Sequence, residues 1–177
     1  SDYVFLRENL AELKGDEYAE KRQRVRAFED AASGYQFIPL GPEAFDACLA
    51  IHRAWTLINV EAMEPRMVEY EHDAIQNSFG HFSELKLIGG VLEVHGRVEG
   101  FAVGEPLDSE TVVLLFEKAN PKLDGIFPTL NRECARKVFK PFRYINDEPD
   151  LGNTELRRIK ESYHPVHMIP KYILERP

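Results

Sequence analysis

The chain has 177 residues, which is enough for one full domain and a short additional segment. Hydrophobic residues make up 44% and charged residues 29%, as in ordinary globular domains, and no apolar run approaches the roughly 18 residues that a transmembrane helix needs. The formal net charge of −8 argues against nucleic-acid binding over the whole surface, although it is compatible with a local basic patch.

The first part of the chain predicts a helical segment followed by a short strand. Residues 7–31 carry apolar residues at helical spacing among many charges, with a break at Gly15. Gly34 ends this stretch, and the alternating segment 35–40 predicts a strand. A turn that contains Pro42 then leads into the next helix.

Two amphipathic helices are predicted next, on the same side of a sheet. The apolar face of the first carries Phe45, Cys48, Leu49, His52, Trp55 and Ile58. The second begins near Glu64 and has on its inner side Met67, Val68, Ala74, Ile75, Ser78 and Phe79.

Residues 85–118 predict three consecutive strands. His95 and Gly96 form a two-residue turn signal, which is typical of a β-hairpin. The third strand, 111–118, is nearly all apolar and is expected near the centre of the sheet.

The last third of the chain predicts a helix, a strand and a further helix. The first helix starts after Gly125 with Pro128 in its first turn. Residues 143–146 predict a short strand, and the final helix over 153–163 is capped by Asn153 or Thr154. An extended segment over 168–174 closes the chain.

Cysteines and basic residues give two further expectations. Cys48 and Cys134 both fall on predicted helices among apolar neighbours, so a reducing compartment fits better than a disulfide framework, and no Cys/His spacing resembles a zinc site. Two basic groups are interpreted as solvated helix surface. The first contains Lys21, Arg22, Arg24 and Arg26, and the second Arg132, Arg136, Lys137, Lys140 and Arg143.

This order of elements predicts an α/β (α+β) fold with a mixed sheet flanked by helices, and it is also the order of a GNAT acyltransferase domain. Segment 3–13 loosely parallels segment 144–156, since each has a tyrosine-bearing strand before a leucine-bearing helix. We therefore predict two units. Residues 1–33 are expected to be the remnant of a preceding, similar half that packs as an appendage, and residues 34–177 the GNAT-like domain.

The stretch 145–165 is the most informative for chemistry. Arg157, Lys160 and His164 fall at helical spacing on one stripe, next to an apolar stripe that contains Tyr163. The alternative is an ordinary amphipathic helix with acids before its N-terminus and bases along its length, which compensation of the helix dipole would also produce.

The same stretch resembles the terminal signature of the lysyl-phosphatidylglycerol synthase C-terminal family, especially its soluble bacterial relatives, in which N-R-E-x-D-L-G precedes L-R and K-x-S-Y-x-P. The matching residues are Asn146, Glu148, Asp150, Leu151, Gly152, Leu156, Arg157, Lys160, Ser162, Tyr163 and Pro165. Upstream matches are 116–119, Asn131, Glu133, Lys14, Gly15, Lys21, Arg22 and Phe28. Departures occur at Asp147, where arginine is usual, and over 153–155.

The resemblance implies a fold of two GNAT-like halves and the transfer of an aminoacyl group. The donor is then aminoacyl-tRNA, with no separate cofactor and no metal. The acceptor is a lipid hydroxyl or, as in related peptidyltransferases, an amine of a cell-wall peptide. A preceding GNAT-like half in the same gene product is the implied partner, and the implied location is the cytoplasm, including the inner face of the membrane.

Carried onto this chain, the resemblance suggests catalytic and binding residues. Lys160 would stabilise the tetrahedral oxyanion or hold a donor phosphate, with Arg157 supporting it. Glu117, at the end of the apolar strand, would hold the donor's α-amino group. Tyr163 is placed like the general acid of many acetyltransferases, although a buried structural tyrosine is the alternative. The substrate-binding candidates are Asn131, Asp150 and Lys118.

Two other functions stay open. An acyl-CoA N-acetyltransferase would carry a glycine-rich loop after segment 111–118, where the backbone cradles a pyrophosphate. The sequence there, ANPKLDGIFPTL, has one glycine and two prolines, which makes coenzyme A the less favoured donor. The third hypothesis is a non-catalytic GNAT-like half that only binds.

Overall fold

A mixed sheet of seven strands forms the centre of the structure, a computed structural model that describes residues 1–59 and 65–172. The strands are β1 (Asp2–Leu6), β2 (Gln36–Pro39), β3 (Ile88–Val94), β4 (Arg97–Pro106), β5 (Thr111–Ala119), β6 (Tyr144–Asn146) and β7 (His167–Ile169). The helices are α1 (Arg7–Glu12), α2 (Ala19–Ala31), α3 (Phe45–Asn59), α4 (Pro65–Gly80), α5 (Ile126–Arg136) and α6 (Thr154–Glu161).

The strand order is β2-β3-β4-β5-β6-β1-β7, and only the β5–β6 pair is parallel. The predicted three-strand meander is confirmed, with β3, β4 and β5 as consecutive antiparallel neighbours. Its first turn has positive φ at both His95 (51°) and Gly96 (75°), the backbone that a tight two-residue hairpin requires.

Two layers of helices cover the sheet. On one face α3 and α4 pack on the meander, as predicted, through a buried cluster that includes Cys48, Ile75, Phe79, Phe101 and Val103. Ile58, at the end of α3, is exposed instead of facing inward. The expected helix start at Glu64, the side chain of Met67 and the chain beyond residue 172 lie outside the described residues.

The opposite face is covered by α1, α2 and α5, whose core residues include Leu10, Phe28, Leu130 and Ala135. Cys134 lies in this layer and Cys48 in the other, and both are buried free thiols. Gly125 allows a close approach of α2 to the start of α5. It has φ 78°, and a Cβ on it would lie 2.2 Å from the carbonyl oxygen of Arg24.

The N-terminal strand corrects an expectation. β1 lies inside the sheet, antiparallel to both β6 and β7, and Tyr3, Val4 and Phe5 are buried. The prediction that residues 1–31 pack as an appendage is therefore wrong, because long-range pairing satisfies both edges of β1. An origin of residues 1–33 in a preceding half stays a prediction.

The last helix begins as predicted and ends earlier. Asn153 caps α6, since its side-chain oxygen accepts hydrogen bonds from the backbone N–H groups of Glu155 and Leu156. The helix ends at Glu161, and His164 has φ 54° and packs edge-on against Tyr18. His164 therefore does not share a helical stripe with Lys160. Within the described residues, no helix combines the length and apolarity needed to cross a bilayer.

Candidate active site

A cleft of about 640 Å³ opens where β5 and β6 diverge. The parallel pairing ends at Val113 and Asn146, and β5 continues to Ala119 paired with β4, with its other edge free among the described residues. The cleft is lined along this free length of β5, by the segment after β6, and by side chains from α2, α5 and α6. Its polar and charged lining residues are Lys21, Arg24, Glu71, Glu117, Lys118, Asn131, Asp147, Glu148, Asn153, Glu155, Lys160 and Tyr163.

Lys160 reaches this cleft as a buried cation. Its Nζ lies 2.9 Å from Oδ2 of Asp147, and it also donates to the backbone carbonyl oxygen of Asp147. Burial raises the pKa of Asp147 to about 6, against the lowering effect of the Lys160 charge. Asp147, which stands where the resemblance predicts arginine, is thus the counterion of Lys160.

Glu117 lies at the cleft end of β5 without a cationic partner. Among the described residues no lysine, arginine or histidine nitrogen lies within 4.0 Å of its carboxylate. The Nδ2 of Asn131 donates to both carboxylate oxygens, at 3.0 and 3.2 Å. Burial, with the charge of Asp147, raises the pKa of Glu117 to about 8, so the carboxyl is mostly protonated at neutral pH.

Tyr163 and Lys21 form another part of the wall. Both are buried, and Nζ of Lys21 lies 4.3 Å from the centroid of the Tyr163 ring. Burial lowers the pKa of Lys21 and raises that of Tyr163. The hydroxyl of Tyr18 holds this segment by donating to the carbonyl oxygen of Tyr163 at 3.0 Å.

Lys21 is a residue whose position the sequence interpretation missed, because the first basic group was assigned to solvated surface. The spacing contained the signal, since Tyr18, Lys21, Val25 and Phe28 fall on one buried stripe around α2. The same interpretation is wrong for Arg132, which is buried against Glu29 and Glu133.

Lys118 enters the cleft from the other face of β5. Its Nζ lies 2.8 Å from Oε1 of Glu71 on α4 and 3.9 Å from the centroid of the Trp55 ring on α3. The buried Lys118 ammonium is therefore enclosed by a carboxylate and an aromatic face.

Arg157 and Asp150 do not line the cleft. The Nε of Arg157 donates to Oδ2 of Asp150 at 2.7 Å, and the hydroxyl of Tyr3 donates to the same oxygen at 2.7 Å. These hydrogen bonds hold the pKa of Asp150 well below its usual range. Residues three apart differ by about 60° around a helix, so Arg157 and Lys160 reach different acids. The cleft therefore brings together five of the residues named from the sequence, without Arg157 and Asp150: Lys160, Glu117, Tyr163, Asn131 and Lys118.

The loop between β5 and α5 offers few donors to an anion. Pro128, in the first turn of α5, has no N–H, and α2 packs directly against Gly125. In the described part of the chain, no group of three or more histidine, cysteine, aspartate or glutamate side chains is arranged to hold a metal ion.

The sequence pattern of the family described as Phosphatidylglycerol lysyltransferase, C-terminal, matches residues 1–175. A conserved protein of unknown function from Bacteroides thetaiotaomicron is 34% identical with a TM-score of 0.87, over 94% of this chain and 56% of that one. L-PGS from Bacillus licheniformis is 16% identical with a TM-score of 0.61, over 93% and 56%. No functionally curated protein matches.

A further similarity concerns the fold alone. The aminoglycoside acetyltransferase AAC(6')-Iy, solved with a coenzyme A bisubstrate analogue, is 13% identical with a TM-score of 0.56, over 82% of this chain and 99% of that one. The mixed sheet and flanking helices are thus GNAT-like, as expected. The chain spans little more than half the length of the Bacteroides and Bacillus proteins.

Proposed function

The chain belongs to the phosphatidylglycerol lysyltransferase C-terminal family, and on that basis we propose that it moves an aminoacyl group from aminoacyl-tRNA to a lipid hydroxyl or an amine acceptor. The observation that carries the proposal is the cleft where β5 and β6 diverge, in which the unpaired carboxyl of Glu117 and the buried ammonium of Lys160 are both lining groups.

Glu117 suits the α-ammonium of the donor. A cation beside a buried carboxyl favours its ionised form, and the pKa of Glu117, raised to about 8, leaves a proton to be displaced. Binding of an aminoacyl ester would therefore release a proton and form a charge-assisted hydrogen bond in a desolvated site. Asn131, which already holds both oxygens of the carboxylate, would orient it.

Lys160 suits the oxyanion. Its ammonium has three N–H donors, of which two serve Asp147, so one is left for the developing charge on the ester oxygen. The acceptor oxygen or nitrogen bonds to the ester carbon, the tetrahedral intermediate collapses, and the ribose oxygen leaves. The proton lost by the acceptor is the one that the ribose oxygen gains.

Tyr163 can relay that proton, since its hydroxyl can give a proton to the leaving ribose oxygen and take up the one that the acceptor loses. Burial raises the pKa of its hydroxyl, so a lasting tyrosinate is disfavoured and the two proton transfers must occur together. The ring also forms the face on which Lys21 lies. Both properties follow from one buried position, so the structural role and the catalytic role of this tyrosine are compatible.

A coenzyme A donor is less favoured for a physical reason. A pyrophosphate needs several backbone N–H groups at a helix N-terminus. Here Pro128 removes one of them, and α2 packs against Gly125 at the start of α5. We therefore propose that the tRNA ester is the donor and that no separate cofactor takes part.

The proposed partners follow from the length of the relatives. Because the chain spans little more than half of each, we propose that it works with a preceding GNAT-like half in the same gene product. With a lipid as acceptor, the reaction would take place at the inner face of the membrane, and with a peptide amine it would take place in the cytoplasm.

Binding to this chain tests the donor. A non-hydrolysable aminoacyl-adenosine amide and acetyl-CoA would be titrated separately by calorimetry. We expect the amide to bind with proton release, measured in buffers of different ionisation enthalpy, and Glu117→Gln to weaken it by about tenfold or more. Glu110→Gln is the matched control, since Glu110 is exposed at the opposite end of β5. Binding of acetyl-CoA and not of the amide would contradict the proposal.

A further inference from the structure

Four cations line the cleft within the described residues, and three of them have an acidic partner. Lys118 pairs with Glu71 at 2.8 Å, Lys160 with Asp147 at 2.9 Å and Arg24 with Asp124 at 2.9 Å. Lys21 is the exception, because no carboxylate of the described residues lies within 4.0 Å of its Nζ.

Lys21 is also buried without an ion-pair partner among the described residues, and the charge of the neighbouring Glu20 offsets only part of the effect of burial on its pKa. Its residue surface is 7% exposed, and the group against its ammonium is the Tyr163 ring, at 4.3 Å. A cation on an aromatic face recovers only part of the solvation that it loses in leaving water. An apolar side chain of similar length on the Tyr18–Val25–Phe28 stripe would pack equally well, so packing alone does not require a lysine at this position.

The ion pair between Lys160 and Asp147 helps to decide which lysine of the cleft binds an anion. With Asp147 as counterion, Lys160 brings little net charge into the cleft and can provide a directed N–H for an oxyanion. A bound anion that keeps its charge throughout the reaction would be attracted more strongly to an unpaired cation. The task of holding a donor phosphate, which the sequence suggested for Lys160, therefore suits Lys21 better.

We propose that Lys21, lying on the ring of Tyr163, is an anion-binding residue of the cleft and holds the phosphate that precedes the 3′-terminal adenosine of the donor. The inference rests on the proposed function. An aminoacyl ester has no free carboxylate, so the anionic group nearest its acyl carbon is that phosphodiester. Arg24, one turn further along α2, also lines the cleft and is exposed, which continues the cationic path toward solvent for the rest of a polyanion.

Two probes test the assignment on this chain. The first is the aminoacyl-adenosine amide without a phosphate, and the second is the same compound with a 5′-phosphate. Wild-type protein is expected to bind the phosphorylated probe about tenfold more tightly, with an advantage that shrinks as salt increases. Lys21→Met should abolish that advantage and leave the affinity for the first probe unchanged, and Lys21→Arg should keep part of it.

Arg26→Met is the matched control, because Arg26 lies on the same helix and is exposed. Lys21→Met should fold at least as well as wild type by thermal unfolding, since it replaces an unpaired buried ammonium with an apolar group of similar length. Equal binding of both probes by wild type, or equal weakening of both by Lys21→Met, would overturn the assignment to Lys21 and leave the proposed function intact. Failure of wild type to bind either probe would overturn the proposed function itself.

Discussion

The two faces of β5 at its free end carry neighbouring charged residues in opposite conditions. On the face of α3 and α4, Lys118 is enclosed by the carboxylate of Glu71 and the ring of Trp55. On the face of α5, Glu117 has only the amide of Asn131, and its pKa is raised to about 8. Successive side chains of a strand point to opposite faces, so one step along the chain separates a cation with an ionic partner from a carboxyl without one.

The difference separates groups that stabilise the fold from groups that await a ligand. Removing one partner from a buried pair destabilises a protein, because it leaves the other partner buried and unpaired. Removing an unsatisfied charge relieves the folded state and harms only whatever binds there. Lys160 belongs to both kinds of group, since it is paired with Asp147 and also lines the cleft. Stability and activity should therefore respond differently on the two faces.

Glu117→Gln should give the largest change in stability, and the change should depend on pH. A folded-state pKa raised from 4.5 to about 8 means that the folded protein holds a proton which the unfolded chain gives up. That stabilisation is complete below about pH 4.5 and is lost as pH rises through 8, with an upper bound of roughly 5 kcal/mol. The variant should match wild type at pH 4.5 and be more stable above pH 8, as measured by urea unfolding.

The difference between the two stability curves isolates Glu117 and its coupling to Asp147, because raised carboxyls that do not interact with Glu117, such as Glu148, contribute equally to both proteins. Glu110→Gln, at the exposed other end of β5, should shift neither curve by more than about 0.5 kcal/mol. A flat difference curve would mean that Glu117 is already ionised in the folded protein at neutral pH, and the contrast between the faces would disappear.

Lys160→Ala should lower transfer by the intact gene product by about a hundredfold or more, as loss of an oxyanion donor does. The ion pair with Asp147 also predicts a loss of about 1 to 3 kcal/mol of unfolding free energy, since a carboxylate whose side chain is 28% exposed is left unpaired. The readouts are aminoacyl transfer and denaturant unfolding.

A double variant distinguishes these two effects. Lys160→Met with Asp147→Asn removes both charges, so the stability should return while transfer stays lost. Recovery of transfer in the double variant would show that Lys160 acts only by neutralising the charge of Asp147.

Glu71→Gln tests the satisfied face and should cost about 1 to 3 kcal/mol of unfolding free energy. The variant leaves the buried ammonium of Lys118 with the Trp55 ring and a neutral amide in place of a carboxylate. The side chain of Glu71 is 28% exposed, which keeps the expected cost at the low end for a buried pair. If the variant is as stable as wild type, the ion pair between Lys118 and Glu71 contributes no more to stability than an ordinary surface ion pair.

The fold was largely accessible from the sequence because its signals are local. The turn at His95 and Gly96, the cap at Asn153 and the apolar β5 each depend on a few neighbouring residues. β1 was not accessible in this way. Its place between β6 and β7 depends on pairing with residues about 140 positions away, such as Val4 with Asn146, which no local pattern encodes.

The site was accessible only in part, for a related reason. Helical spacing placed Lys160 and Arg157 on one predicted stripe. It did not show that Lys160 would pair with Asp147 and Arg157 with Asp150. Lys21 was assigned to a solvated group by its basic neighbours, although its spacing from Tyr18, Val25 and Phe28 marks a buried position. Periodicity was a better guide to the burial of Lys21 than local charge density.

The smallest expected effect concerns His52, which lies behind Glu71 on the satisfied face. His52 is buried, its Nδ1 has no hydrogen-bond partner, and that atom lies 4.0 Å from Oε2 of Glu71. Burial lowers the pKa of His52 against the opposing charge of Glu71, while Lys118, His72 and Arg53 lower it further. The unfolded chain then takes up this proton more readily, so stability present above about pH 6.5 falls as the solution becomes more acidic.

In urea unfolding at pH 7.5 and 5.5, His52→Gln should reduce the acid-induced loss, and His81→Gln, at an exposed site, should not. An unchanged loss would mean that His52 is protonated in the folded state and shares Glu71 with Lys118. Glu71 would then be a single carboxylate between two cations, and the face that contains Lys118 would itself have an unsatisfied charge.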